Sequence, residues 1–74
     1  MSDTKIKADI AGTVSKIVVQ VGSTVAVDDT LLVLESMKME IPVCAPRAGR
    51  VSAIHVSEGD LVGEGDLLVS LAPS

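Results

Sequence analysis

Apolar and polar residues alternate along this chain in short stretches. Ile17, Val19 and Val21 alternate with Val18 and Gln20, and Ile54 and Val56 alternate with His55 and Ser57. β-Branched residues dominate both stretches, as suits a pleated surface buried on one face, so the spacing predicts strands there. Leu32-Val33-Leu34 and Ile41-Pro42-Val43 predict two more. Val14 and Val51 are out of phase with the residues that follow, which predicts a bend or bulge near Ser15 and Ser52. Pro42 has no N–H to give to a ladder, so strand 40–45 is expected to have an exposed edge there. Turn signals fall at Gly12, Gly22-Ser23, Asp28-Asp29, Pro46, Gly49, Glu58-Gly59-Asp60 and Gly63-Glu64-Gly65-Asp66. Gly12, Gly22, Gly49 and Gly59 are read as turn glycines. No stretch carries a helical period of useful length. Short strands with turns about every eight to twelve residues predict an all-β sandwich or flattened barrel.

The alternation repeats. A shift of 37 residues lays 8–34 on 45–71 with 12 of 27 positions identical, against roughly two from ordinary composition. The matches include Gly12/Gly49, Val14/Val51, Ser15/Ser52, Gly22/Gly59, Leu31/Leu68 and Leu34/Leu71. Residues 1–74 therefore read as one domain made of two copies of a unit, joined by a hairpin at 35–40. Two small sheets related by an approximate two-fold axis are expected to bury their faces against each other.

Composition narrows what such a domain can do. The chain has 74 residues and no Phe, Tyr or Trp, so its core comes from 12 Val, 5 Ile, 7 Leu and some Ala. A core of this size is marginal without help. Cys44 is alone and cannot form an internal disulfide, and one Cys with one His (His55) is too few for a structural zinc. Without aromatics there is no platform for stacking bases, and the formal net charge of −4 repels phosphate, so no nucleic-acid partner is expected. The longest stretch free of charge, Ile17 to Val27, is too short to span a bilayer. No apolar segment follows Met1-Ser2-Asp3-Thr4-Lys5, so no secretory signal is visible; a cytoplasmic placement with Cys44 reduced is the simplest.

The segment between the copies is Glu35-Ser36-Met37-Lys38-Met39-Glu40. Strands on both sides make it a hairpin tip, yet it lacks the Asn-Gly or Asp-Gly that favours a tight turn. Residues other than glycine are then expected in uncommon backbone angles. The shift of 37 takes Lys38 to position 75, so the tip and the C-terminus are expected at opposite ends of the domain.

This segment resembles the biotin-attachment motif of biotin carboxyl carrier domains, whose core is Met-Lys-Met. The resemblance covers about residues 5 to 71, includes the Gly-Asp turns of the second copy, and is nearest to small stand-alone biotin/lipoyl attachment proteins. Met1 and the missing Ala/Pro-rich N-terminal region fit that form. Two features depart from relatives: Ser36 stands where large carboxylases commonly have Ala, and no thumb-like loop is inserted between Val19 and Thr24. The fold implied is a barrel-sandwich hybrid, a flattened barrel of two pseudo-two-fold-related sheets with the attachment lysine at a hairpin tip.

The resemblance implies that Lys38 is amide-linked to biotin by a biotin protein ligase. An extended arm of this kind reaches on the order of 12–15 Å, from bond lengths near ~1.5 Å. It further implies that the domain moves between a biotin carboxylase and a carboxyltransferase acting on an acyl-CoA or a keto acid. The domain itself is then a non-catalytic carrier, the hard chemistry lying with cofactor and partners. Met37, Met39, Glu35, Ser36 and Glu40 are the expected ligase-recognition residues. No catalytic residue and no metal site is expected. The acidic run Glu58, Asp60, Glu64 and Asp66 does not have the spacing of a calcium loop and reads as solvated turns. Cys44 reads as a small buried or half-exposed hydrophobe, in an outward or edge position since it aligns with Lys7; His55 reads as a surface residue. Two alternatives remain: a lipoyl carrier of an oxo-acid dehydrogenase or glycine cleavage system, which usually has Asp before the lysine, and an unmodified structural barrel.

Overall fold

Eight strands make up the regular structure of the computed structural model, which describes residues 3–73. Met1, Ser2 and Ser74 belong to the expected domain span but lie outside the described residues. The strands are β1 (Thr4–Lys7), β2 (Gly12–Ile17), β3 (Thr24–Val25), β4 (Thr30–Ser36), β5 (Met39–Cys44), β6 (Gly49–Ile54), β7 (Leu61–Val62) and β8 (Leu67–Ala72). They form two antiparallel four-stranded sheets of order β1-β8-β6-β3 and β5-β4-β2-β7. The all-β, two-sheet class is the one the sequence pattern implies. The shift of 37 carries β1 to β5, β2 to β6, β3 to β7 and β4 to β8, and so carries one sheet order onto the other.

The two halves are not, however, two intact sheets closed face to face. Each half gives two strands to each sheet: β1 and β3 flank β8 and β6, while β5 and β7 flank β4 and β2. The cause lies in the stretch after Ile17. The strand expected over 17–21 ends at Ile17, and the chain crosses to the opposite sheet. There Gly22 N–H donates to Val51 O (2.8 Å) and Val51 N–H donates to Ser23 O (2.8 Å). The second half repeats the crossing, with Gly59 N–H to Val14 O (2.7 Å) and Val14 N–H to Asp60 O (2.8 Å). Ile17, Val19, Ile54 and Val56 still pack on the core from these crossings, so their alternation reports burial without reporting a ladder.

Between the sheets lie Leu31, Leu32, Leu34, Leu68, Leu71, Val14, Val51 and Val69, all essentially inaccessible to solvent. Aliphatic side chains alone fill this space. Because the strands are exchanged, neither half can bury its apolar face by itself. The phase slips at Val14 and Val51 appear as register shifts between Val14 and Lys16 and between Val51 and Ala53, with Ser15 and Ser52 as the extra residues. Pro42 sits on β5, an edge strand.

Four turns share one construction. Ser23, Asp29, Asp60 and Asp66 each donate their N–H to the carbonyl three residues back, at 3.0–3.1 Å. The side chain of that same residue then accepts the N–H of the residue three back: Gln20 to Ser23 Oγ, Ala26 to Asp29 Oδ2, Ser57 to Asp60 Oδ2 and Gly63 to Asp66 Oδ2. The third residue has φ between 72° and 97°, as a type II turn requires: Gly22, Asp28, Gly59 and Gly65. Gly12 and Gly49 are not turn glycines. They open β2 and β6, and a Cβ on either would stand 2.7 Å from Glu35 O or 2.5 Å from Ala72 O, so each is required by close approach of backbone.

Candidate functional site

The junction between the copies becomes the β4–β5 hairpin. Leu34 pairs with Ile41, Glu35 with Glu40 and Ser36 with Met39, leaving Met37 and Lys38 as a two-residue loop. Their φ values are 52° and 66°. Positive φ at both central positions defines a type I′ turn, whose twist matches the flanking strands and which Asn-Gly normally fills. A residue with a Cβ costs about 1–2 kcal/mol in this conformation. The paired ladder below holds both in place, so the expected strain is found at the expected residues.

The turn presents its side chains to solvent. Met37 is 90% exposed and Met39 63%, and Lys38 is exposed between them. Glu35 and Glu40 face each other across the ladder on the outer face, both exposed, and Ser36 is half-buried. The six residues of the motif are thus gathered at one end of a domain 35 Å long and 18 by 17 Å across. We call this the tip end; the opposite one, where β8 ends at Ala72, is the far end.

The tip end contains more than the hairpin. Gly12 pairs with Val62, and the space a Cβ would occupy there is filled by Glu35 O and by the Ser36 Cβ. The bare backbone of β2 therefore lies directly beneath the turn, and Gly12 is a residue that sequence reading assigned to a turn instead. Its signal was the matching Gly49, since a glycine kept in both copies at a strand start points to close approach as readily as to a turn. Loop 8–11 is tied to loop 63–66 by Ala8 N–H to Asp66 O (2.9 Å) and Gly65 N–H to Ala8 O (2.8 Å). Both loops leave strands at the level of Gly12 and Ser36, so they flank the turn.

Other residues of interest lie elsewhere. Cys44 is exposed at the base of β5, paired with Thr30; the expected outward position holds, the expected partial burial does not, because an edge strand leaves its outer face uncovered. His55 is exposed just after β6, its Nε2 3.0 Å from Ser70 Oγ on the neighbouring strand β8 of the same sheet. Ser52 Oγ donates to Asp3 Oδ2 at 2.6 Å. The acidic run is used locally: Asp60 and Asp66 close turns, and Glu58 Oε2 accepts from Ile17 N–H at 3.0 Å. Of these, only Glu64 and Asp66 lie at the tip end, in loop 63–66.

Residues 4–71 match a family model described as biotin-requiring enzyme, the biotin/lipoyl type. The chain is 49% identical over 65 residues to a biotin carboxyl carrier protein of Streptococcus mutans, covering 88% of this chain and 50% of that one. It is 45% identical over 67 residues to the biotinylated protein TB7.3 homolog of Mycobacterium leprae, covering 90% and 94%. The chain thus spans half the length of the first relative and nearly all of the second. Part of a solved single-chain, multi-domain long-chain acyl-CoA carboxylase superposes with a TM-score of 0.93 at 33% identity, over 99% of this chain and 7% of that one. Fold, motif position and sequence agree: the chain belongs to the biotin/lipoyl attachment family.

Proposed function

We propose that this chain is a biotin carboxyl carrier: Lys38 receives biotin through an amide bond and presents it in turn to a biotin carboxylase and a carboxyltransferase. The observation that carries the reading is the strained, fully solvent-facing type I′ turn with Lys38 at its apex between Met37 and Met39. Such an apex fits an amide-linked cofactor, since the amine stands clear of the body and an arm attached there sweeps freely. The names of the relatives support biotin as that cofactor.

Each residue of the tip then has a task. Lys38 supplies the nucleophile; a free lysine is mostly protonated at neutral pH, so the ligase must take a proton from Nζ before the amide forms. Acylation removes one positive charge and takes the formal net charge from −4 to −5. Met37 and Met39 give the ligase an apolar grip on each side of the lysine, and their flexible thioethers adapt to it. Glu35 and Glu40 add charge that a basic partner surface can read. Bound at Lys38, biotin supplies a ureido nitrogen that accepts and releases a carboxyl group. The domain supplies presentation at high effective concentration. Met37, at the place where lipoyl domains usually carry Asp, disfavours the lipoyl reading.

Co-expression with a biotin protein ligase followed by intact-mass measurement tests this. One biotinyl adduct on the wild type and none on Lys38→Arg is the expected result. A lipoyl adduct, no adduct, or a labelled Lys38→Arg variant would overturn it.

A further inference from the structure

The internal duplication provides a comparison within one molecule: any tip-end residue can be set against its counterpart at the far end. On β7, Val62 is buried and so is its counterpart Val25 on β3, but the outward residues differ. Leu61 is 84% exposed, where the far end has Thr24. In the loop before β2, Ile10 is 37% exposed, where the far end has Arg47. Charge differs in the same sense: Asp9 and Glu64 at the tip end correspond to Pro46 and Val27, and Thr13 corresponds to Arg50. Three counterparts run the other way, with Lys7 at the tip end against Cys44 and with exposed Val27 and Asp28 at the far end against Glu64 and Gly65, so the tip end is distinguished by Leu61 and Ile10, by Asp9 and Glu64, and by the absence of the far end's two arginines.

Leu61 is continuous with the attachment site, and Asp9, Ile10 and Glu64 lie in the loops that adjoin Gly12 and Val62. Register places Leu61 beside Thr13, Thr13 beside Glu35 and Glu35 beside Glu40, so the four form one row across the outer face. At about 4.8 Å per strand, Leu61 lies on the order of 10 Å from Glu35 in that row. The turn rises only about one residue, ~3.3 Å, above the Ser36–Met39 pair. A lysine side chain reaches about 6 Å from its Cα. An enzyme that takes Nζ itself into its active site must therefore come down onto the surrounding surface. The enzymes that meet a 12–15 Å arm, a length on the order set by its bonds, are under no such constraint.

We infer that Leu61 and Ile10, bordered by Asp9, Glu35, Glu40 and Glu64, form a docking face for the biotin protein ligase, received by an apolar recess edged with Lys or Arg. The inference rests on attachment at Lys38. It explains why an almost fully exposed leucine stands on this strand when the same strand position in the other copy is a threonine. It also explains why the acids cluster around the one lysine that must be acylated, where they steer a basic partner towards it.

The test exchanges counterparts and measures ligation of the whole chain. Leu61→Thr is expected to raise the KM of the ligase for this protein about tenfold, as burial of one leucine implies, with kcat within twofold of wild type and an unchanged melting temperature. Ile10→Arg is expected to raise KM further, and KM is expected to grow with ionic strength. Thr24→Leu at the far end is expected to change neither constant. A KM for Leu61→Thr within twofold of wild type overturns the inference, as does an equal rise for Thr24→Leu or a fall in kcat alone. Absence of biotin from the wild type would instead overturn the attachment reading, so the two failures are distinguishable.

Discussion

The two ends of this domain are built from the same parts and have diverged in opposite ways. At each end a glycine opening a strand lies against a carbonyl of the neighbouring strand, Gly12 on Glu35 O and Gly49 on Ala72 O. At each end a two-residue edge strand buries one valine, Val62 or Val25. Between the ends, β4 and β8 run through the core as counterparts. At the tip end β4 turns back through Met37-Lys38 into β5, whereas β8 ends at Ala72 at the far end. The framework is thus shared, and what distinguishes the ends is confined to the turn and to outward-facing side chains. A carrier needs little else: one lysine held at a fixed apex, and a surface that partners recognise.

If the framework is shared, the core should not distinguish the ends, and this gives the largest expected effect. Leu31 and Leu68 are counterparts, each with no accessible surface. Truncation to Ala at either should cost about 2–5 kcal/mol, the sum of lost burial and an unfilled cavity. Chemical denaturation of Leu31→Ala and Leu68→Ala should give equal losses to within about 0.5 kcal/mol. A difference of 2 kcal/mol or more would show that the two halves do not share the core equally.

The glycines separate framework from function. A Cβ at either would have to push a backbone carbonyl aside, which should cost about 1–3 kcal/mol. Gly12→Ala and Gly49→Ala are therefore expected to destabilise alike. Only Gly12 underlies the turn, so only Gly12→Ala should slow biotin ligation beyond what its unfolded fraction explains. Equal ligation rates for the two variants, corrected for folded fraction, would leave Gly12 a framework residue only.

Much of this was legible in the sequence, for physical reasons that can be named. The duplication exposed the bulges at Ser15 and Ser52, since a phase slip kept in both copies is a property of the fold. It also put the Met-Lys-Met segment at a hairpin tip, and the lack of Gly or Asn there pointed to positive φ at Met37 and Lys38. Three features were hidden. Identity between copies does not say which copy a strand pairs with, so the exchange of β1, β3, β5 and β7 between sheets could not be read. Ile17 to Val21 alternate as a strand would, yet form a crossing, because periodicity records burial rather than hydrogen bonding. Gly12 and Gly49 resembled turn residues because the carbonyls they accommodate are far away in the chain. Leu61 carried no signal for a different reason: it stands at a position where the two copies differ, against Thr24, and agreement between copies marks the framework alone.

The smallest effect concerns the turns and inverts the usual relation of stability to activity. Among the described residues, three other than glycine have positive φ: Asp28, Met37 and Lys38. Asp28 corresponds to Gly65, so the tip end already shows that glycine fits this turn without altering the fold. Aspartate tolerates the left-handed region better than most residues, so Asp28→Gly should gain no more than a few tenths of a kcal/mol. Met37 is less suited to it. Met37→Gly should relieve most of the strain of one residue and gain about 0.5–1 kcal/mol, net of the greater backbone entropy that glycine loses on folding. In a domain of this size that corresponds to a rise of about 4 °C in melting temperature. The same change removes a side chain that is 90% exposed and makes no contribution to the core. Biotin ligation should therefore fall in Met37→Gly while stability rises, and Asp28→Gly should leave ligation unchanged. A Met37→Gly variant that is both more stable and labelled at the wild-type rate would show that the turn's strain serves no recognition. The observed pairing of an unfavourable backbone with an unburied methionine would then have no account in the chemistry of the tip.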